Sequence, residues 1–274
     1  MELKKENAKK ELTIIVVNYN CRLIVQNCIY SILQNVKNIQ YEVIVVDNNS
    51  NDNSLILIEK NFKDCILIRN DKNNGFAKAV NQGFKIAKGE ILLILNPDVK
   101  ILPASIEKAI HFLEDNPNVA ILLPKLLNPD GSLQYSCRTF YDLPTILLRR
   151  TFLKKIFPNH SKIKEHLMLN YDHEKPREVD WGLGACMFIR KNAIEDVNLM
   201  DERFFLYFED VDLCWRMKEK GWKVIYFPKS VMIHAHLRHS AKGLFNRAKW
   251  EHFVSFLKFC IKHGRLKPQK RILI

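Results

Sequence analysis

No uninterrupted apolar run in this sequence approaches the length of a membrane-spanning helix. Met1 to Glu11 is charged and lacks an apolar core, so it does not read as a signal peptide. The seven cysteines, at 21, 28, 65, 137, 186, 214 and 260, include no Cys-x-x-Cys pair, and their number is odd. Several sit inside apolar runs, where a free thiol behaves as a small hydrophobe. The expectation is a reduced, cytoplasmic protein rather than a disulfide scaffold. Internal repeats and low-complexity linkers are absent. No Gly-x-Gly-x-x-Gly follows the first strand-like run, which argues against a dehydrogenase. No zinc-ligand spacing, recognition helix or RNA-binding motif appears, so no nucleic-acid partner is expected.

What is present is a chain of 274 residues, 47% hydrophobic, enough for one large domain or two intimate ones. Lys and Arg outnumber Asp and Glu by 43 to 30, a formal charge of +13. That balance suits a polyanion: nucleic acid, an anionic membrane or a phosphorylated substrate. The first hundred residues alternate short β-branched runs with helical periodicity. Strands are predicted at Leu12–Val17, Tyr41–Val46, Cys65–Ile68 and Ile91–Leu95, and helices at Leu23–Val36 and Gly75–Lys88. The rhythm implies an α/β fold with a mostly parallel central sheet flanked by helices. Polar clusters follow the strand ends, where open α/β sheets bind ligands. The second half is less regular. Asn128-Pro129-Asp130-Gly131 reads as a turn, Val179–Arg190 as a strand pair around Gly182 and Gly184, Lys223–Phe227 and Val231–Ile233 as short strands, and Phe245–Ile261 as a final helix.

The densest signal is Phe204-Phe205-Leu206-Tyr207-Phe208-Glu209-Asp210-Val211-Asp212. An apolar, aromatic run meets two adjacent carboxylates where a helical pattern begins. Acids are favoured at a helix N-terminus, so a cap is one reading. A catalytic base is the other, because paired acids under aromatic cover raise each other's pKa.

The ordered set Val17-Asn18-Tyr19-Asn20, Asp47-Asn48-Asn49-Ser50, Asn74-Gly75-Phe76-Ala77 and Asn96-Pro97-Asp98 resembles the family 2 inverting glycosyltransferases of GT-A fold. Asp180-Trp181-Gly182-Leu183-Gly184, the Glu209-Asp210 block and His234…Ser240 are similar to their rhamnosyltransferase and galactofuranosyltransferase-like branch. The likeness spans roughly residues 12–240. It implies a GT-A domain over 1–240, with a nucleotide half at about 12–100 and an acceptor half at about 101–240. A basic amphipathic helix and tail would follow at 241–274.

Transfer from a nucleotide-diphospho-sugar requires a neutralised diphosphate, a deprotonated acceptor and aligned reactants. Asp98, past a strand end, fits a ligand for Mg²⁺ or Mn²⁺. It stands at the last position of the family's Asp-x-Asp motif, with Asn96 in place of the first acid. An Asn-Pro-Asp turn is the simpler alternative. His234, also at a strand end, is the second metal candidate. The resemblance makes Asp210 the base, with Glu209 supporting it or orienting the acceptor. Asp212 reads as a structural first-turn acid. Asp47 fits the imide N–H of uracil or thymine, and Asn18 and Asn20 fit base or ribose. Asn74 and Gly75 fit close approach to phosphate, or an ordinary helix start. Trp181 is a sugar-stacking residue or a core residue, and Asp180 is a partner for a sugar hydroxyl.

These expectations describe an enzyme moving a sugar, rhamnose first, from a dTDP- or UDP-sugar to a saccharide or lipid-linked acceptor in cell-surface polysaccharide synthesis. Phe245, Phe253, Phe256 and Cys260, widened by Trp250, Leu257 and Ile261, would form the apolar face of a helix at an anionic membrane surface, on the cytoplasmic side. A core-packed helix with a basic tail competes with that reading. The rival classes are a nucleotidyltransferase, which lacks its glycine- and basic-rich triphosphate loop here, and a non-catalytic membrane or nucleic-acid binding module.

Overall fold

The computed structural model describes residues 11–150, 156–237 and 247–264. Expectations that fall on Met1 to Lys10, His239, Ser240, Phe245 and the tail from Arg265 lie outside these residues.

Four strands, Leu12–Asn18 (β1), Tyr41–Asp47 (β2), Ile66–Arg69 (β3) and Ile91–Leu95 (β4), pair in parallel in the order β3-β2-β1-β4. Every residue of β1 and β4 is buried, as for parallel strands covered on both faces. Three helices connect them: Arg22–Asn35 (α1), Ser54–Asn61 (α2) and Phe76–Ile86 (α3). Helix α1 turns Val25, Cys28, Ile29 and Ile32 inward, and α3 turns Ala77, Val80, Asn81 and Phe84 inward, both at helical spacing.

The stretch beyond β4 carries elements that the sequence reading passed over: Val99–Ile101 (β5), Ser105–Asp115 (α4) and Val119–Leu127 (β6). After them come Leu133–Gln134 (β7), Cys137–Arg138 (β8), Leu143–Arg150 (α5), Ser161–His166 (α6), Arg177–Glu178 (β9), Trp181–Gly182 (β10) and Cys186–Arg190 (β11). The chain continues through Lys191–Asp196 (α7), Glu209–Glu219 (α8), Lys223–His234 (β12) and Arg247–His263 (α9). The main sheet runs β3-β2-β1-β4-β11-β6-β12-β5, mostly parallel, with β11 antiparallel to both its neighbours. β12 is one strand rather than two, because its pairing with β6 resumes after an irregularity between Phe227 and Val231. Pro124, which has no N–H to donate, lies in β6 beyond its last β11 partner, Leu122.

Two apolar layers cover the sheet. Ile15, Val17, Ile44, Val46 and α3 form one, which continues into Trp181, Phe208, Trp215 and Phe259. Leu12, Ile14, Val16, Val43 and Val45 form the other, with α1 and α4. Adjacent residues of β1 thus enter opposite layers, the period of a strand.

Candidate active site

The carboxyl ends of β1 and β2 are tied by a polar lock. Asn18 Nδ2 donates to Asp47 Oδ1 at 2.7 Å and lies 2.8 Å from Ser54 Oγ. Ser50 donates to Asp47 twice, from its backbone N at 2.9 Å and from Oγ at 2.6 Å. Asp47 is 0% exposed, so its carboxylate presents no surface to a base. This departs from the expected base-reading role: in a dry strand end, an acid is retained only where donors surround it. Asn20 is exposed at φ 52°; its N donates to Ser50 Oγ and its Oδ1 accepts from Asn51 N.

Gly75 caps α3 at φ 84°. A side chain there would meet Phe205 O at 2.6 Å, and Phe76 N donates to the same oxygen at 2.8 Å. The close approach expected for a phosphate is thus made by the Phe205 carbonyl, which couples the start of α3 to the segment before Glu209. The preceding Asn74 is half-buried.

Asp98 and His234 come together because β5 and β12 pair with Val99 opposite His234. Asp98 Oδ1 lies 3.4 Å from His234 Nε2, and Asp98 Oδ2 accepts from Leu237 N at 2.8 Å. Burial pushes the Asp98 carboxyl up, but the hydrogen bond and charge of His234, with the Leu237 N–H, bring it below its ordinary value. His234 is buried, and its Nδ1 lies 2.6 Å from Gln134 Oε1. A carboxylate oxygen and an imidazole nitrogen facing each other, with the second imidazole nitrogen already engaged, suit a divalent ion such as Mn²⁺. Among the described residues no cluster of three or more His, Cys, Asp or Glu converges, so a metal here would draw its other ligands from elsewhere, diphosphate oxygens among them. Asn96, half-buried at the end of β4, donates its backbone N to Ala185 O at 2.8 Å.

Gly184, the residue before Ala185, donates its N to Asp210 Oδ2 at 3.0 Å. The Asn96–Asp98 turn and the acid pair are therefore joined through two consecutive residues. Tyr207 and Phe208 both adopt φ 67°, a left-handed conformation that strains large L-residues. Phe208 is held there by rings on several sides: Tyr141 at 5.7 Å, His252 at 5.2 Å, Phe256 at 5.7 Å and Phe259 at 5.6 Å. Glu209 is 5% exposed and its Oε2 has no hydrogen-bond partner. Burial, then the Asp210 charge, raises its pKa well above the ordinary glutamate value. Burial raises Asp210 to about 6, against the opposing pull of the Gly184 and Val211 N–H groups and the Arg138 charge. The pair thus offers one acid that holds its proton more tightly than an ordinary glutamate and one carboxyl poised near neutrality, a match for general-base work.

Three further sites have their groups taken up within the protein, Trp181 and the C-terminal helix in the core-packed way that the sequence left open. Trp181 is 6% exposed, and its indole N–H donates to Thr139 O at 2.9 Å; it is a core residue, because the Gly182 turn packs it inward. Asp180 accepts from Phe140 N at 2.8 Å and lies 3.5 Å from Lys218 Nζ, so both its oxygens have protein partners. The C-terminal helix α9 is docked, not free. Phe259 and Ser255 are buried, Ser255 Oγ donates to Leu206 O at 2.9 Å, and Asp212 accepts from Arg216, Lys262 and His263 at 2.6 to 2.8 Å. Phe256 packs inward with Phe259 against Phe208. The outer face instead carries Trp250 (64% exposed), Phe253, Leu257 and Ile261 (83%). Two residues near the site, Gln134 and Arg138, went unread; they lie in two-residue strands, too short to give a periodic signal.

A family model described as Glycosyl transferase family 2 matches residues 13–197. An N-acetylglucosaminyl-diphospho-decaprenol L-rhamnosyltransferase of Mycobacterium tuberculosis (strain ATCC 25618 / H37Rv) is 29% identical over 213 residues, covering 72% of this chain and 67% of its own length. A dTDP-rhamnosyl transferase of Shigella flexneri is 26% identical over 227 residues, covering 81% of this chain and 68% of its own. The chain thus spans about two thirds of each relative's length. Among solved structures, the mannosyltransferase of Pyrobaculum calidifontis in complex with GDP-Man and Mn²⁺ matches with a TM-score of 0.59 at 17% identity, covering 94% of this chain and 66% of that one. Likeness at that identity is a likeness of fold.

Proposed function

Because the chain belongs to glycosyl transferase family 2 and has the GT-A fold of its structural neighbours, we propose that it moves a sugar, rhamnose first, from a dTDP- or UDP-activated donor to a saccharide or lipid-linked acceptor with inversion. The observation that carries this reading is the linkage of Asp98 and His234 to Asp210 through Gly184-Ala185. In it, Asp210 takes the acceptor proton. Glu209, whose proton is held more tightly than an ordinary glutamate's, stands behind it. Asp98 and His234 are the residues that would hold Mg²⁺ or Mn²⁺, and such an ion would supply positive charge to offset that of the leaving diphosphate. Asn18, Asn20 and Asp47 shape the nucleotide end of the site, Asp47 through the lock it forms. Asn74, Gly75 and Asn96 set the turns that border the diphosphate, and Asp180 and Trp181 brace the acceptor wall. Residues at about 12–100 serve the donor and those at about 101–240 the acceptor.

A lipid-linked acceptor gives the outer face of α9 a role. Trp250, Phe253, Leu257 and Ile261 form an exposed ridge along the helix, and the following sequence supplies Arg265, Lys267, Lys270 and Arg271. We assign this ridge to peripheral attachment at an anionic membrane on the cytoplasmic side. No described helix is long and apolar enough to cross a membrane.

The test is a thermal-shift panel of nucleotide sugars with and without Mn²⁺, followed by product analysis with the best ligand. A specific donor raises the melting temperature by mass action. Release of dTDP or UDP is expected. Release of pyrophosphate would move the chain to the nucleotidyltransferases, and stabilisation by DNA alone would remove the donor site.

A further inference from the structure

The Asn128–Gln134 hairpin is a turn that the proposed reaction leaves without a task, yet it ends on the metal-site imidazole. Its hydrogen bonds have only one consistent direction. Ser132 Oγ lies 2.6 Å from Asp130 Oδ1, an acceptor when ionised, and so donates to it. Ser132 Oγ then accepts from Asn128 Nδ2 at 2.9 Å. That turns Asn128 Oδ1 towards Gln134 Nε2, which donates to it at 2.9 Å. Gln134 Nε2 also donates to the His234 carbonyl at 3.2 Å, an independent constraint on the same amide. Gln134 Oε1 is left facing His234 Nδ1 at 2.6 Å, and an amide oxygen only accepts. His234 Nδ1 must therefore carry the proton. The Nε2 edge is the one that faces Asp98 Oδ1.

We infer that Gln134, oriented by Asn128 and Ser132, is a positioning residue of the metal site: it keeps a proton on His234 Nδ1, so that Nε2, the nitrogen that faces Asp98, is the one left for a divalent ion in exchange for the hydrogen it shares with Asp98 in the metal-free site. The inference rests on the metal role proposed above for Asp98 and His234. Outer partners of this kind fix the ring and tautomer of a ligating histidine, and their loss typically weakens metal binding about 10–100-fold.

The experiment uses the full chain, ¹⁵N-labelled at histidine, with His234 assigned through His234→Asn. Long-range ¹H–¹⁵N correlation reads the tautomer, and calorimetry reads Mn²⁺ affinity in the presence of dTDP. Wild type should show the Nδ1–H form. Gln134→Met, of similar length but with no amide, should lose that single form and bind Mn²⁺ about 10–100-fold more weakly. Gln134→Glu keeps an acceptor and should retain the tautomer, with affinity near wild type. A purely structural role would lower the melting temperature of both variants and leave the ring signature and Mn²⁺ affinity alone, which would overturn the inference. A ring that lacks the Nδ1 proton in wild type, and carries one on Nε2 alone, would overturn it without recourse to any variant. Wild type that keeps the Nδ1–H form but binds no Mn²⁺ would instead sink the metal role, and this inference with it.

Discussion

Replacing Asp210 by Asn tests the reaction most directly. The substitution keeps the shape of the side chain and removes its basicity. Two magnitudes follow. A positioned general base contributes roughly 10²–10⁴-fold, so kcat should fall by that factor while donor binding stays within a few-fold of wild type. The second comes from the burial that raises the Asp210 carboxyl to about 6. With that value about a tenth of the sites are ionised at pH 5 and nearly all at pH 7.5, so wild-type kcat should climb about 10-fold between them. The limb belongs to the Glu209–Asp210 pair as a whole, since adjacent acids titrate together. In Asp210→Asn the limb should vanish, leaving a low, flat profile. The assay is release of nucleoside diphosphate at saturating donor and acceptor across pH 5–8, with donor affinity measured separately. A variant with wild-type kcat, or one that keeps the rising limb, would return Asp210 to helix capping.

Asp98→Ala should abolish transfer and weaken diphosphate-nucleotide binding in Mn²⁺ with the far-UV spectrum unchanged; undiminished wild-type turnover in excess EDTA would rule the metal role out. Burial raises both Glu209 and Asp210, so the folded chain holds their protons more tightly than the unfolded one. The stability they lend is complete below about pH 4, the unfolded values, and is lost as the pH rises through the raised folded values. Glu209→Gln should therefore show a shallower decline of melting temperature above pH 5 than wild type, and an identical slope would show that Glu209 ionises freely. Asp212→Ala leaves Arg216, Lys262 and His263 without their shared acceptor. Breaking a buried pair of this kind costs about 3–5 kcal/mol, and the loss should appear as early proteolysis at α9; unchanged protection would show that the aromatic packing alone holds the helix. Trp250→Glu with Ile261→Glu should abolish co-sedimentation with anionic vesicles at unchanged activity on a water-soluble acceptor. Pelleting that ignores lipid charge, or the double substitution, would refute the membrane ridge.

The parallel half of the sheet was legible in the sequence chiefly because β1, β4 and most of β2 are dry on both faces. Leu12–Val17, Tyr41–Val46 and Ile91–Leu95 read as largely apolar, mostly β-branched runs, and each of the observed strands agrees to within a residue at either end. The polar clusters that follow them had to lie along one edge, so the family resemblance was readable in order. The Glu209-Asp210 pair stood out because charge seldom follows so closely on aromatic bulk. Tertiary structure alone decided which polar groups face open space. Asp47 and Asp180 look free in the sequence, yet neighbours brought from other elements take up their oxygens. Helical spacing places an apolar stripe on α9 but does not say whether it turns inward; Phe259 and the Asp212 network settle that, and leave Trp250 and Ile261 outside. The meeting of Asp98, His234 and Gln134 depends on the β5–β12 register and on a hairpin hydrogen-bonded to β6. Such register is a property of paired strands, and no single strand's residues encode which partner it will face.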